Sequence, residues 1–494
     1  MFLLLFVGGV AICFLLYELM LKRRGLPPGP TPLPLIGNLL QINQQNPPET
    51  FAKWTEEYGG VFTVFIPKTA VIITDFQLMK ETIVKQGDQY SGRPDSFVFN
   101  IFTGGKFGIV SAEGKFWREQ RRFALHVLRD FGFGRNLMES KVMDEVHRLI
   151  EQLKEQNKSI VEPKDLLGVC IGSIISQLIF GHPYDFDDQR FHQLKALLAR
   201  NFQLLTHPAA QMLELYPWLR FLPFFGNFKY HELVEHEEEF RKFAFDEIDR
   251  HLELFDQNSQ PEDYIDAFIA EMKRREMSGE DMGSFSKWQL YAAVADLWIA
   301  GMETTVTTLL WGLVFMLRHP DIQAKVQAEI DAKIGRDTEV TMNDRNSLPY
   351  VSATINEIQR RANIVPVNLL HTNTELVTLA GFKIPPGTTI ISQISAVLHD
   401  HHLYPEPLQF KPERFLEEGE KTLKKDDHLV PFSMGKRQCL GESLARMELF
   451  LIFTTIMQKF RFSVPAGSEK PSTVGVQGLT VSPQQFTCLV ESRL

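Results

Sequence analysis

Between Met1 and Tyr17 the chain carries no charged side chain and is rich in Leu, Phe and Val; Glu18 interrupts it before the basic cluster Lys22, Arg23, Arg24. A cleavable signal places its positive charge ahead of the apolar run, so the reversed order predicts a retained membrane anchor over residues 1–21. A span takes about 20 apolar residues, which leaves this one slightly short. The charges behind it put the rest of the chain on the cytosolic side. Residues 22–37 are basic and then proline-rich, with Leu26-Pro27-Pro28-Gly29-Pro30-Thr31-Pro32-Leu33-Pro34 reading as a stiff spacer. Beyond it, alternation predicts a β-hairpin, Val61 to Ile66 and Ala70 to Asp75, after which helical periodicity dominates. Glu235, Glu237, Glu238 and Glu239 alternate with Phe240, Phe243 and Ile248, the pattern of an amphipathic helix with a solvated face. One helix runs from the cap Ser286 to the stop at Pro320. It is apolar enough to suggest a second span, but Asp296 and Glu303 near its middle predict a buried core helix instead. Strand-like sequence returns from about Val367 to Val397, around the turn Ile384-Pro385-Pro386-Gly387, and again from Phe460. The pattern is mainly α with a small β region, one large globular part covering residues 38–494.

With 494 residues, 44% of them hydrophobic, the chain can bury a large core, and no small module fits it. Cys13, Cys170, Cys439 and Cys488 are far apart, which excludes a disulfide framework or a cysteine-rich zinc site and favours a reducing compartment. A net charge of −9 excludes the overall basic field that nucleic acid demands. Phe outnumbers Tyr and Trp, 39 against 10 and 6, which suits an apolar interior or pocket.

The stretch Phe432-Ser433-Met434-Gly435-Lys436-Arg437-Gln438-Cys439-Leu440-Gly441 sets a cysteine before the helix-forming run Glu442 to Phe450. A helix start favours an anionic sulfur, and the flanking glycines allow backbone N–H groups to come close. Arg437 adds a cation suited to a carboxylate-bearing ligand. Chance produces F-x-x-G-x-R-x-C-x-G in on the order of one chain in ten thousand of this length. Elsewhere Glu357 and Arg360 lie three apart on a helix, Pro412-Glu413-Arg414-Phe415 adds a second arginine, and Trp117 and Arg121 share a helical face. Ala300-Gly301-Met302-Glu303-Thr304-Thr305 sits inside the long helix. Thr304 by itself reads first as a hydroxyl bonding back into its own helix. His399, Asp400, His401 and His402 have no spacing that defines a metal site.

Taken in order, these motifs resemble the cytochrome P-450 superfamily, closest to its animal microsomal drug- and lipid-oxidising branch, over essentially the whole chain. Arg361 after the ExxR, where that branch often has Phe, and Leu370 before His371, where it often has Pro, depart from it. The resemblance implies a P-450 fold behind an anchor helix, with residues 38–494 as the catalytic haem domain. It implies haem b with Cys439 as the axial thiolate and metal ligand. Trp117, Arg121, His371 and Arg437 are then candidates for holding the propionates, and Ala300 leaves room above the iron. Glu303 and Thr304 match the pair that relays protons to bound oxygen. Glu357, Arg360 and Arg414 match a structural triad. Phe97, Phe99, Phe102, Ala300, Val365, Val367 and Leu369 match pocket positions. The implied reaction inserts one oxygen atom from O₂ into a lipophilic substrate such as a fatty acid, steroid or xenobiotic. Electrons would come from NADPH-cytochrome P-450 reductase, with cytochrome b5 as an optional second donor, and Lys115, Arg118, Arg122 and Lys436 could form a basic face for such a partner. The implied location is the endoplasmic reticulum membrane, with one anchor and a cytosolic catalytic domain. The rivals are a haem-thiolate peroxide isomerase or dehydratase, against which Glu303-Thr304 speaks, and a non-catalytic haem carrier or sensor, which would consume neither NADPH nor O₂. The aromatic run Leu215 to Phe228, broken by two prolines, cannot be a long helix and either packs on the core or meets lipid.

Overall fold

The computed structural model describes residues 6, 17, 21–43, 45–66, 68–131, 136–417, 419 and 422–493. Nearly all of the predicted anchor therefore lies outside the described residues. Among the described residues the strands are β1 (Val61–Ile66), β2 (Lys68–Ile73), β3 (Ile160–Val161), β4 (His371–Thr372), β5 (Val377–Leu379), β6 (Phe382–Ile384), β7 (Thr389–Ser392), β8 (Phe460–Ser463) and β9 (Cys488–Ser492). The helices used below are α1 (Pro47–Tyr58), α2 (Gly114–Asp130), α3 (Asn136–Glu155), α4 (Pro163–Phe180), α5 (Tyr230–Leu254), α6 (Lys287–Arg318), α7 (Pro320–Lys333), α8 (Pro349–Ala362) and α9 (Glu442–Lys459). The mainly α prediction holds.

The chain forms two compact units, the first made of Met1–Asp95, Val365–Pro407 and Asp427–Cys439. Its sheet has the order β1-β2-β7-β4, with β2 antiparallel to β1 and parallel to β7. Side chains alternate across this sheet. Val61, Val71, Ile73 and Ile390 join Met79, Ile83, Tyr90 and Met434 on one face, while Phe62, Val64, Ile72 and Ile391 pack with Phe51 and Trp54 on the other. Both faces are thus buried, and the period-2 pattern is the cause. The second hairpin strand runs Lys68–Ile73, two residues earlier than the pattern Ala70 to Asp75 predicts. Asp75 is diverted to cap the next helix, its carboxylate accepting from Leu78 N over 2.7 Å. The proline segment is laid on β1 rather than held free: Thr63 N donates to Pro28 O over 2.8 Å, and the Arg23 guanidinium donates to Gly29 O over 2.7 Å.

The second unit comprises Ser96–Ile364, Leu408–Asp426 and Leu440–Leu494. Helix α6 starts where predicted, with the Ser286 hydroxyl accepting from Gln289 N, and ends against Pro320. Both α4 and α6 are long and apolar enough to cross a membrane by composition, yet both are largely buried in the protein. Asp296 explains why α6 tolerates a charge there, since its Oδ2 accepts from the backbone N–H groups of Ile109 and Val110 at 2.6 and 2.8 Å. Close approach of α4 and α6 depends on Gly301, where a Cβ would lie 2.7 Å from Ile175 Cδ1. A three-stranded sheet of order β3-β9-β8 accounts for the β-like C-terminal sequence. The aromatic segment folds as two 3-10 turns, Pro217–Phe221 and Pro223–Lys229, as its prolines require. Trp218 and Phe221 are exposed on it, and the side chains of 224–226 lie outside the described residues.

Candidate active site

In the first unit the cysteine loop is held at several points. Cys439 N donates to Phe432 O at 3.0 Å and Gln438 N to Gly435 O at 3.1 Å, closing a tight loop. Gly435 adopts φ +79°, and a Cβ there would stand 1.8 Å from Ile83 O, so only glycine fits. Ser433 also takes a left-handed φ of +62°, its hydroxyl accepting from Asn368 Nδ2 over 2.8 Å. Met434 is built into the sheet's apolar cluster. The loop is fastened by its surroundings, and the Cys439 thiol at its end is exposed.

Arg437 is buried, and its Nε donates to Ser91 O over 2.9 Å. Lys436 beside it forms an ion pair with Asp88, which offsets its contribution to a basic face. His371 is buried and its Nδ1–H donates to Tyr90 O at 2.7 Å. Burial, aided by the positive charges of Arg93 and Arg437, pushes His371 down to about 3. Its single proton is therefore committed to Tyr90, and it stands in the field of two arginines. Arg93 is a residue the motif reading misses; it is buried and donates to Leu370 O over 2.7 Å. Its only sequence mark is its place in Ser91-Gly92-Arg93-Pro94. A cluster of this sign suits anionic carboxylate arms, and an exposed thiol on the same unit suits an iron ligand; haem offers both chemistries.

In the second unit, Ala300 is exposed and Gly301, Glu303 and Thr304 are half-buried, although the turns after them are buried. This is the open side of α6. The Thr304 hydroxyl donates to Ala300 O over 2.7 Å, back into its own helix. Glu303 points elsewhere, accepting from the hydroxyls of Thr307 and Thr480, each at 3.4 Å. The acid and the alcohol make no hydrogen bond to each other among the described residues, and burial pushes the Glu303 carboxyl up. Trp117 is buried on α2 and Arg121, one turn on, is partly buried, while Lys115, Arg118 and Arg122 are exposed. Glu357 and Arg360 on α8 are fully buried, and Arg414 joins them, its Nε donating to Glu357 Oε1 at 3.1 Å. The same oxygen accepts from Lys411 N at 2.9 Å. The three predicted triad residues are thus brought together.

The expected pocket residues divide between the units. Phe97, Phe99 and Phe102 are partly buried in the second unit, where Phe97 and Phe102 pack with Leu213, Leu219 and Leu233. Val365, Val367 and Leu369 belong to the first; Val367 packs on the cluster of Phe51, Trp54 and Phe62, and Leu369 is exposed. Among the histidines at 399–402, Asp400 Oδ1 accepts from His402 N at 2.7 Å, an ordinary turn.

The family model for cytochrome P450 matches residues 27–490. The chain belongs to the cytochrome P450 family. It is 37% identical over 469 residues to cytochrome P450 2C28 of Mesocricetus auratus, covering 94% of each chain. It is 37% identical to cytochrome P450 2C8 of Homo sapiens over 477 residues, 96% of each. It is 38% identical to cytochrome P450 2D20 of Mesocricetus auratus over 484 residues, 96% of this chain and 95% of that one. This P450 is a haem-thiolate monooxygenase of the animal microsomal kind, using electrons from a redox partner to oxidise lipophilic compounds.

Proposed function

We propose that Cys439 supplies the axial thiolate and that Arg93, Arg437, His371, Trp117 and Arg121 form the setting for the propionates. The observation that carries this is the exposed thiol of Cys439 on a loop locked by Gly435 and Ser433, in the same unit as Arg93, Arg437 and His371. When bound, haem supplies the activation of O₂ and the transfer of one of its oxygen atoms to a C–H or C=C bond. The protein's own residues do the rest. The cysteine loop orients the sulfur and fixes it before any partner arrives. Ala300 keeps the side of α6 it occupies free of bulk, and Thr304 moves protons through its hydroxyl by exchanging its bond to Ala300 O for one to an incoming group. Glu303 keeps its proton to a higher pH than an exposed acid and can resupply it. Glu357, Arg360 and Arg414 hold the fold and take no part in the chemistry. Phe97, Phe99, Phe102, Val365, Val367 and Leu369 give the substrate an apolar environment.

NADPH-cytochrome P-450 reductase is the electron donor in this reading, with cytochrome b5 assisting. Residues 1–21 anchor the protein in the endoplasmic reticulum membrane, 22–37 link it, and the catalytic domain 38–494 faces the cytosol. The test is the reduced carbon monoxide spectrum: wild-type protein should show the thiolate-specific Soret band and Cys439→Ser should lose it. An unchanged band in the variant would overturn the assignment.

A further inference from the structure

Glu448 lies on α9, which follows the cysteine loop, with only 1% of its surface exposed. The Thr305 hydroxyl of α6 donates to its Oε2 over 3.0 Å. Its Oε1 is also buried and has no hydrogen-bond partner among the described residues, nor does Glu448 form an ion pair there. Arg446, two residues earlier, is bound to Glu442 at 2.9 Å. The titratable group that senses Glu448 from the neighbouring helix α4 is the fully buried Cys170 thiol, which burial pushes up, Glu145 and Glu448 adding. Cys170 bonds to the Glu145 carbonyl on α3, and the Glu145 carboxylate is paired with Arg148. Among the described residues no cation in this seam is turned to Glu448. A carboxylate taken out of water with one hydrogen bond and no counter-charge is far costlier than the neutral acid, and burial pushes Glu448 up to about 8.

Consecutive helical residues point about 100° apart, so a bond at Thr305 fixes the rotation of the turn before it. Thr305 is buried, whereas Ala300 is exposed and Thr304 half-buried. We propose that Glu448 is a positioning residue: as an uncharged acid it holds α6 through Thr305, and so sets the phase in which Ala300 and Thr304 are presented. This rests on the reading of Thr304 given above only where coupling is measured.

The test uses full-length holoenzyme with reductase, in the wild type and the variants E448Q, E448L and T305V, over pH 5 to 9. The folded acid holds a proton that an unfolded carboxyl releases near its ordinary value of 4.5; between those two points the folded state binds more protons, so stability falls as pH rises. The wild-type thermal midpoint should therefore decline relative to E448Q up to about pH 8 and run parallel above it. The fraction of NADPH converted to product should be alike in the wild type and E448Q below about pH 8, since glutamine keeps the acceptor for the Thr305 hydroxyl without the charge. E448L should lower that fraction at every pH by about 2- to 10-fold, the worth of one neutral hydrogen bond. T305V should do the same, with no further loss when the two are combined. A midpoint difference between wild type and E448Q that ignores pH would overturn the uncharged acid. Wild-type coupling in T305V would overturn the positioning role, and this holds even where E448L fails to fold. Full coupling in T304A would instead count against the Thr304 reading, leaving the midpoint signature to judge Glu448.

Discussion

Arg360 and Glu357 meet through two hydrogen bonds, 2.7 and 2.9 Å long, with neither side chain exposed to solvent. Arg360→Ala would leave Glu357 with Arg414 and Lys411 N but without its closest counter-charge. Breaking a buried pair on one side costs roughly 3–5 kcal/mol. The expected outcome is a protein that is largely insoluble and poorly loaded with haem; soluble, active R360A would refute it.

Removing the Thr304 hydroxyl deletes a group bonded to Ala300 O and leaves the helix intact. Thr304→Ala should bind haem normally while product formation drops, with reducing equivalents appearing as hydrogen peroxide. Proton transfer of this kind is worth about 10²- to 10⁴-fold. The product-to-peroxide ratio is the measurement, and an unaltered ratio would contradict the relay.

Two glycine-to-alanine changes should differ sharply. At Gly301 the added methyl meets the end of the Ile175 side chain, which can turn, so G301A should lose about 1–3 kcal/mol. At Gly435 it meets the Ile83 carbonyl with the backbone already left-handed, so G435A should abolish the thiolate-type carbon monoxide spectrum. Comparable spectra from both would show that the cysteine loop is less fixed than described.

Lipid contact is the fourth expectation. Trp218 and Phe221 are exposed on a segment of two 3-10 turns, and aromatic side chains favour the bilayer interface. Protein lacking residues 1–21 should still sediment with liposomes, and polar replacements of Trp218 and Phe221 should release it. A truncated protein that stays fully in solution would remove this second contact.

Much of this was legible in the sequence because the signals were local. The Ser286 cap and Pro320 stop bound α6, period-2 alternation marked the hairpin, and the three-residue spacing of Glu357 and Arg360 put them on one face. Arg93 and Glu448 were not legible, for a different reason. Arg93 acts through its proximity to His371, far along the chain, and Glu448 through a contact with Thr305. A buried glutamate on an apolar helix carries no periodicity of its own, since its importance comes from what the tertiary fold denies it. The hairpin's second strand was misplaced by two residues because Asp75 serves as a cap rather than a strand end.

The first unit gathers three stretches of chain, the last ending at Cys439. During synthesis the β1–β2 hairpin emerges early, but its parallel partner β7 and the Met434 that covers its apolar face come some three hundred residues later. Until then Val71 and Ile73 have only the partial cover that Met79, Ile83 and Tyr90 give, and a nascent chain is exposed to aggregation for much of its time on the ribosome. Premature stops before Gly435 are thus not short enzymes but chains with an unfinished sheet, and their fate is set by quality control rather than by lost chemistry.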